Sequence, residues 1–173
     1  MGKNLTLTGM MGVGKTTIGK ILAKKLDYKF IDVDKLIEDK EGLSISFIFK
    51  NKSESYFRKV ENEMTFAELK KDNSVISLGG GAFLNSSIRR IAKKHSVSFW
   101  LDVPVDELIK RLKKSKKRPL LLKKNISEEI KKIYFGRKKI YNKANFRVKC
   151  SSLGSKEIVN KILSLYEKSD NKI

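Results

Sequence analysis

Residues 9 to 16 read Gly9-Met10-Met11-Gly12-Val13-Gly14-Lys15-Thr16, a complete G-x-x-x-x-G-K-[ST] run. An alternating segment, Leu5-Thr6-Leu7-Thr8, precedes it, and apolar residues at helical spacing (Ile18, Ile21, Leu22, Leu26) follow it. The sequence thus spells a strand, a glycine loop and a helix, the context that gives this motif its meaning. Glycines let backbone N–H groups curl around phosphate oxygens, and the following helix N-terminus adds partial positive charge. Gly12, Val13, Gly14 and Thr17 are expected to line that cradle. Lys15 would reach the β- and γ-phosphates, and the Thr16 hydroxyl would ligate Mg²⁺. A chain built around this loop is committed to an α/β architecture that binds nucleotide phosphate.

The 173 residues suit one domain spanning 1–173, long enough to bury about 70% of the unfolded surface. No stretch approaches the ~18 uninterrupted apolar residues of a membrane span. The chain enters its first strand almost at once, which leaves no room for a signal peptide. The single cysteine, Cys150, cannot form an internal disulfide, and the single histidine, His95, argues against the usual zinc clusters. A cytoplasmic protein is expected, and a monomer. The formal net charge of +20 invites a nucleic-acid reading. Yet only seven of the 39 Lys and Arg residues are Arg, and the lysines are spread over nearly every predicted helix. Such a distribution marks solvated faces and a compositional preference rather than a shaped nucleic-acid patch.

Strands are predicted near 4–8, 29–32, 74–78, 97–103 and 145–150, and helices near 15–26, 34–41, 44–50, 54–71, 85–94, 104–114, 126–143 and 155–167. Short apolar strands between amphipathic helices imply a parallel sheet covered on both faces. Trp100, inside the fourth strand, reads as core. Residues 115–124 lack apolar periodicity, contain Arg118-Pro119 and read as a mobile lid within about 113–125.

Ligands of open parallel sheets lie at the carboxyl ends of the strands. Strand two ends in Asp32-Val33-Asp34, and strand three runs into Gly79-Gly80-Gly81. One of the two carboxylates could help hold Mg²⁺ through water while the other accepts a proton from a hydroxyl nucleophile. Equally, Asp34 could simply cap the helix that starts at Lys35. Three consecutive glycines imply either a positive φ or the close approach of a ligand. In a lysine-rich chain, each retained arginine hints that a planar fork is needed. Arg58 (with Glu61 one turn on), Arg111, Arg118 and Arg137 occupy strategic places; Arg89, Arg90 and Arg147 read as surface residues. Two separated arginines suit a small molecule that bears a carboxylate.

From the first strand to about Ala144 the pattern resembles the shikimate kinase family. The residues that carry the resemblance are Gly9 to Thr16, Phe30-Ile31-Asp32-Val33-Asp34, Gly42-Leu43-Ser44-Ile45 with Ile48-Phe49, Phe57-Arg58 with Glu61, Gly79-Gly80-Gly81, Arg111, Arg118-Pro119-Leu120-Leu121, and Arg137 with Tyr141 and Ala144. The resemblance implies a three-layer α/β/α fold of the P-loop kinase type, with a five-stranded parallel sheet in the order 2-3-1-4-5. It also implies transfer of the ATP γ-phosphate to the 3-hydroxyl of shikimate, a step toward chorismate and the aromatic amino acids, with Mg²⁺ as cofactor. The substrate-binding helices would span about 34–61. By position, Arg58 and Arg137 would grip the shikimate carboxylate and Asp34 would accept the proton. Gly79, Gly80 and Gly81 would approach the ring, and Phe49 and Phe57 would wall it. Arg118 would swing in with the lid, Arg111 would lie against adenine, and Thr16 with Asp32 (through water) would place Mg²⁺.

Two substitutions depart from the family's habit: Phe47 stands where Glu is common, and Ser53 where Gly is common. The loop Cys150 to Ser155 also lacks the proline usual before the last helix. The competing readings are a gluconate kinase-like small-molecule kinase, an adenylate-type kinase and a basic, nucleotide-dependent RNA-binding module.

Overall fold

The computed structural model describes residues 3–113 and 125–170. Its five strands are β1 (Asn4–Thr8), β2 (Lys29–Asp32), β3 (Ser74–Ser77), β4 (Ser96–Asp102) and β5 (Phe146–Lys149). Eight helices intervene or follow: α1 (Lys15–Leu26), α2 (Val33–Glu41), α3 (Ile45–Asn51), α4 (Glu54–Leu69), α5 (Ser86–His95), α6 (Val105–Lys113), α7 (Ile126–Tyr141) and α8 (Ser155–Asp170). One turn of 3₁₀ helix covers Ala82–Leu84. The strands form one sheet in the order β2-β3-β1-β4-β5, every pair parallel.

β1 lies at the centre, between β3 and β4, and each of its residues is buried. Of its polar side chains Asn4 and Thr6 are paired, whereas the buried Thr8 hydroxyl has no hydrogen-bond partner among the described residues. Asn4 donates to the Leu69 carbonyl and accepts from the Ser74 amide, while Thr6 donates to Ser96 Oγ at 2.7 Å. β4 begins at Ser96, one residue earlier than the apolar pattern indicates. Ser96 pairs with Asn4 across the sheet, and its hydroxyl also donates to the Ala92 carbonyl. The apolar face of α5 supplies Ile88 and Ala92 to the core, and α8 supplies Ile158, Val159 and Ile162. Trp100 is 1% exposed, as its place inside the fourth strand implies.

β1 gives way to α1 through the glycine loop. Gly9 adopts φ +135, and a Cβ there would lie 2.7 Å from the Leu101 carbonyl oxygen, so a side chain is excluded both conformationally and sterically. The loop can therefore run close over the end of β4. Helices α2, α3 and α4 pack on one another beyond the ends of β2 and β3. Residues 114–124, which hold Arg118 and most of the expected lid, lie outside the described residues. No helix among the described residues is long and apolar enough to cross a membrane.

Candidate active site

The sheet order places the ends of β2, β3 and β1 side by side, so three stretches remote in sequence share one crevice. Lys15 Nζ, on the first turn of α1, donates to the carbonyls of Gly9 (3.0 Å) and Met10 (2.9 Å) and so lies across the phosphate loop. Thr16 donates its hydroxyl hydrogen to Asp32 Oδ2 at 2.7 Å. Asp32 is the N-cap residue of α2, yet its side chain makes no capping bond, and its carboxylate is turned to Thr16 instead. A hydroxyl and a carboxylate oxygen beside a phosphate loop form a hard-donor set that fits Mg²⁺.

Asp34 is not the cap of α2. It sits inside the first turn of that helix, where a negative charge complements the helix dipole, and it is half-buried. A Cβ added to Gly79 would come within 2.6 Å of both Asp34 Oδ1 and Glu61 Oε1. The glycine at that place leaves room for two carboxyl groups from two different helices.

Gly81 has a related cause. None of Gly79, Gly80 and Gly81 has a positive φ. A Cβ on Gly81 would meet Arg58 Nη1 at 2.5 Å and Nη2 at 2.7 Å. Gly80 sits between the phosphate loop and Arg137: a Cβ there would lie 3.5 Å from the Met11 amide nitrogen and 3.6 Å from Arg137 Nη1. At Gly79 and Gly81 the close approach is thus made by the protein's own side chains, whereas a Cβ on Gly80 would meet only ordinary van der Waals contacts.

Arg58 Nη1 donates to Glu61 Oε2 at 2.7 Å, and Nη2 donates to Glu54 Oε1 at 3.2 Å. Burial works against the Arg58 charge, but the Glu61 carboxylate and the bonds to Glu61 and Glu54 hold its pKa above the ordinary value. Burial pushes the Glu61 carboxyl up, against the downward pull of Arg58, and the Asp34 charge adds to the rise. Arg137 Nη1 donates to the Gly80 carbonyl at 2.9 Å. Arg58, Glu61, Asn62, Gly81, Asn85 and Arg137 line a cavity of about 500 Å³. Phe49 and Phe57 pack with ring centroids 4.8 Å apart, and the Arg58 guanidinium lies over the Phe57 ring.

Arg111 stands apart, exposed on α6 and paired with Glu107. Its charge is felt at Cys150, whose thiol is pushed up to about 11 chiefly by burial, so it lies on the β5 side of the sheet. Two arginines read as surface residues have defined partners, with Arg147 exposed as expected and Arg89 half-buried. Arg89 donates to the carbonyls of Phe83 and Leu84, both at 2.7 Å, and so closes the turn after the glycines. Arg147 donates to Asp102 through Nε and Nη2 and lies over the Trp100 ring. Asp102 also accepts the Tyr134 hydroxyl at 2.9 Å. A buried acid at the end of β4 demands such partners, and nothing in the local sequence announces it. Asn62 and Asn85, whose side chains bond at 3.0 Å, likewise escape sequence reasoning, because Asn62 is ordinary within α4 and Asn85 is an ordinary N-cap of α5.

A phosphate loop, a hydroxyl–carboxylate pair beside it, a separate acid at Gly79 and two arginines lining the adjoining cavity define a P-loop kinase of small molecules. Known proteins narrow this class. The shikimate kinase family model matches residues 11–167. The shikimate kinase of a Sulfurihydrogenibium species is 44% identical over 162 residues, covering 94% of this chain and 96% of that protein. The solved structure of shikimate kinase from Acinetobacter baumannii in complex with shikimate superposes with a TM-score of 0.93 at 30% identity, over 98% of this chain and 95% of that one. That from Aquifex aeolicus gives 0.84 at 39% identity, over 97% and 98%. A gluconokinase from Sinorhizobium meliloti shares the fold alone, with a TM-score of 0.62 at 14% identity. The chain belongs to the shikimate kinase family and is an ATP-dependent kinase.

Proposed function

We propose that this chain transfers the γ-phosphoryl group of ATP to the 3-hydroxyl of shikimate and that the residues converging on the glycine turn carry the reaction. One observation supports the reading above all. Arg58 and Arg137, far apart in sequence, line one cavity beside Gly80 and Gly81, and Asp34 stands at the adjoining Gly79.

In this reading the two guanidinium forks bind the substrate carboxylate and so orient the ring over Phe49 and Phe57. The carboxylate of Asp34 accepts the hydroxyl proton as the oxygen forms its bond to the γ-phosphorus and the bond to the bridging oxygen of ADP breaks. Lys15 turns from the loop carbonyls to the phosphates. Backbone N–H groups from Gly12 to Thr17 hold the phosphate oxygens, and Gly79, Gly80 and Gly81 border the ring. Thr16, and Asp32 through water, would hold Mg²⁺, which when bound neutralises phosphate charge. Arg118, outside the described residues, is assigned to the transferring phosphoryl group, and Arg111 to adenine. The enzyme is proposed to work in the cytoplasm as a single-domain monomer.

Coupled ADP release with shikimate, gluconate, AMP or no acceptor tests the substrate. Asp34→Asn tests the base. Turnover should fall by about 10²–10⁴ with ATP binding retained. Near-normal turnover would leave Asp34 only its place in the first turn of α2.

A further inference from the structure

We propose that Tyr141 is a positioning residue of the substrate clamp: its hydroxyl holds the Gly80 carbonyl so that Arg137 can leave that carbonyl and turn its fork to the substrate. The inference rests on the reading of Arg137 as a carboxylate-binding residue.

Tyr141 ends α7, four residues after Arg137, so the two side chains share one face of the helix. Its side chain is fully buried, at 0% exposure, and its ring packs on Trp100 with centroids 6.0 Å apart. A phenol so placed needs a partner. Its hydroxyl donates to the Gly80 carbonyl, with Met10 Sδ of the phosphate loop a further 4.0 Å neighbour. That same carbonyl accepts Arg137 Nη1 at 2.9 Å. A carbonyl oxygen has two lone pairs, and here both are engaged by α7.

The two donors differ in what else they can do. Tyr141 is locked by packing, whereas Arg137 is half-buried and lines the cavity. When Arg137 swings to a carboxylate, Tyr141 keeps the Gly80 carbonyl paired and the glycine turn in place. Without the hydroxyl, Arg137 would be the carbonyl's sole partner, and the substrate would have to compete for it.

Tyr141→Phe keeps the ring and removes the hydroxyl. Shikimate KM should rise about 3–10-fold, the scale of one hydrogen bond, with ATP KM unchanged. The effect should vanish in an Arg137→Lys background, where the fork is already lost. Tyr141→His, which retains a ring donor, should recover part of it. Tyr134→Phe, which removes another hydroxyl from the same helix, serves as the structural control and should lower the melting temperature without moving shikimate KM. An unchanged shikimate KM in Tyr141→Phe, or equal rises for both substrates together with a fall in melting temperature, would overturn the proposal. If Arg137→Lys itself leaves shikimate KM unchanged, the carboxylate reading fails. If Arg137→Lys raises it and Tyr141→Phe does not, only the role of Tyr141 fails.

Discussion

The Arg58 guanidinium and the Glu61 carboxylate, one turn apart on α4, meet at 2.7 Å with the Glu61 side chain 1% exposed. The pair is thus closed on the protein side and open on the arginine side, where the cavity begins. Burial raises the Glu61 pKa above its ordinary 4.5, so between that value and its folded value the folded state holds more protons than the unfolded one. The stabilising contribution of this group is therefore full below about pH 4.5 and is lost as pH climbs through the folded pKa. Glu61→Gln removes this dependence. The melting temperature of the variant relative to the natural protein should accordingly rise as pH climbs above 4.5, as calorimetry at several pH values would show.

Gly79 is where a methyl group should do the most harm to chemistry at the least cost to folding. Its added Cβ would collide with two carboxyl oxygens at 2.6 Å rather than with backbone. Gly79→Ala should displace Asp34 and Glu61 and lower kcat by about 10–100-fold, because misplacing a reacting group by about an ångström carries that penalty. ATP-analogue affinity, measured by titration calorimetry, should stay within about twofold, since the phosphate loop is not touched.

The Thr16–Asp32 bond ties α1 to the end of β2 and is the proposed seat of the cation. Thr16→Val removes the hydroxyl oxygen, and Asp32→Asn removes the charge. Each should shift the Mg²⁺ concentration for half-maximal activity upward by about 10–100-fold. A magnesium titration at saturating ATP reads this directly. Unshifted curves would leave the bond a purely structural link.

Ser53 joins α3 to α4 at φ +116, ψ 162, a conformation that favours glycine. Its hydroxyl accepts from the Tyr56 amide at 3.3 Å, a capping bond whose loss in Ser→Gly is worth only a few tenths of a kcal/mol. Strain of this kind is worth about 1–3 kcal/mol. Ser53→Gly should therefore stabilise the protein by about 1–2 kcal/mol, or raise its melting temperature by roughly 2–8 °C. A fall in melting temperature would mean that the cap outweighs the strain.

Much of this is written locally. The glycine loop, the acids at the end of β2, the three glycines after β3 and the period of each helix are read from neighbouring residues, because strand and helix periodicity depend on short spacings. α1, from Lys15 to Leu26, and β2, from Lys29 to Asp32, fall where the sequence pattern places them. Arg58 and Glu61, three residues apart, could be paired without coordinates. Resemblance to a family supplied the sheet order and the assignment of substrate, which spacing alone could not.

What tertiary structure decided is what depends on contacts across the sheet. Placing β3 between β2 and β1 brings Asp34, Glu61 and Gly79 to one point and shows that Gly79 and Gly81 make room for side chains rather than for positive φ. Packing α7 over the glycine turn makes Tyr141 a donor to Gly80 beside Arg137. Burial of Asp102 gives the exposed Arg147 a partner that its local sequence does not show. Each result hangs on desolvation, which forces a buried polar group to find a partner wherever the fold brings one. The sequence names the groups that can pair, and only the packed chain decides which of them meet.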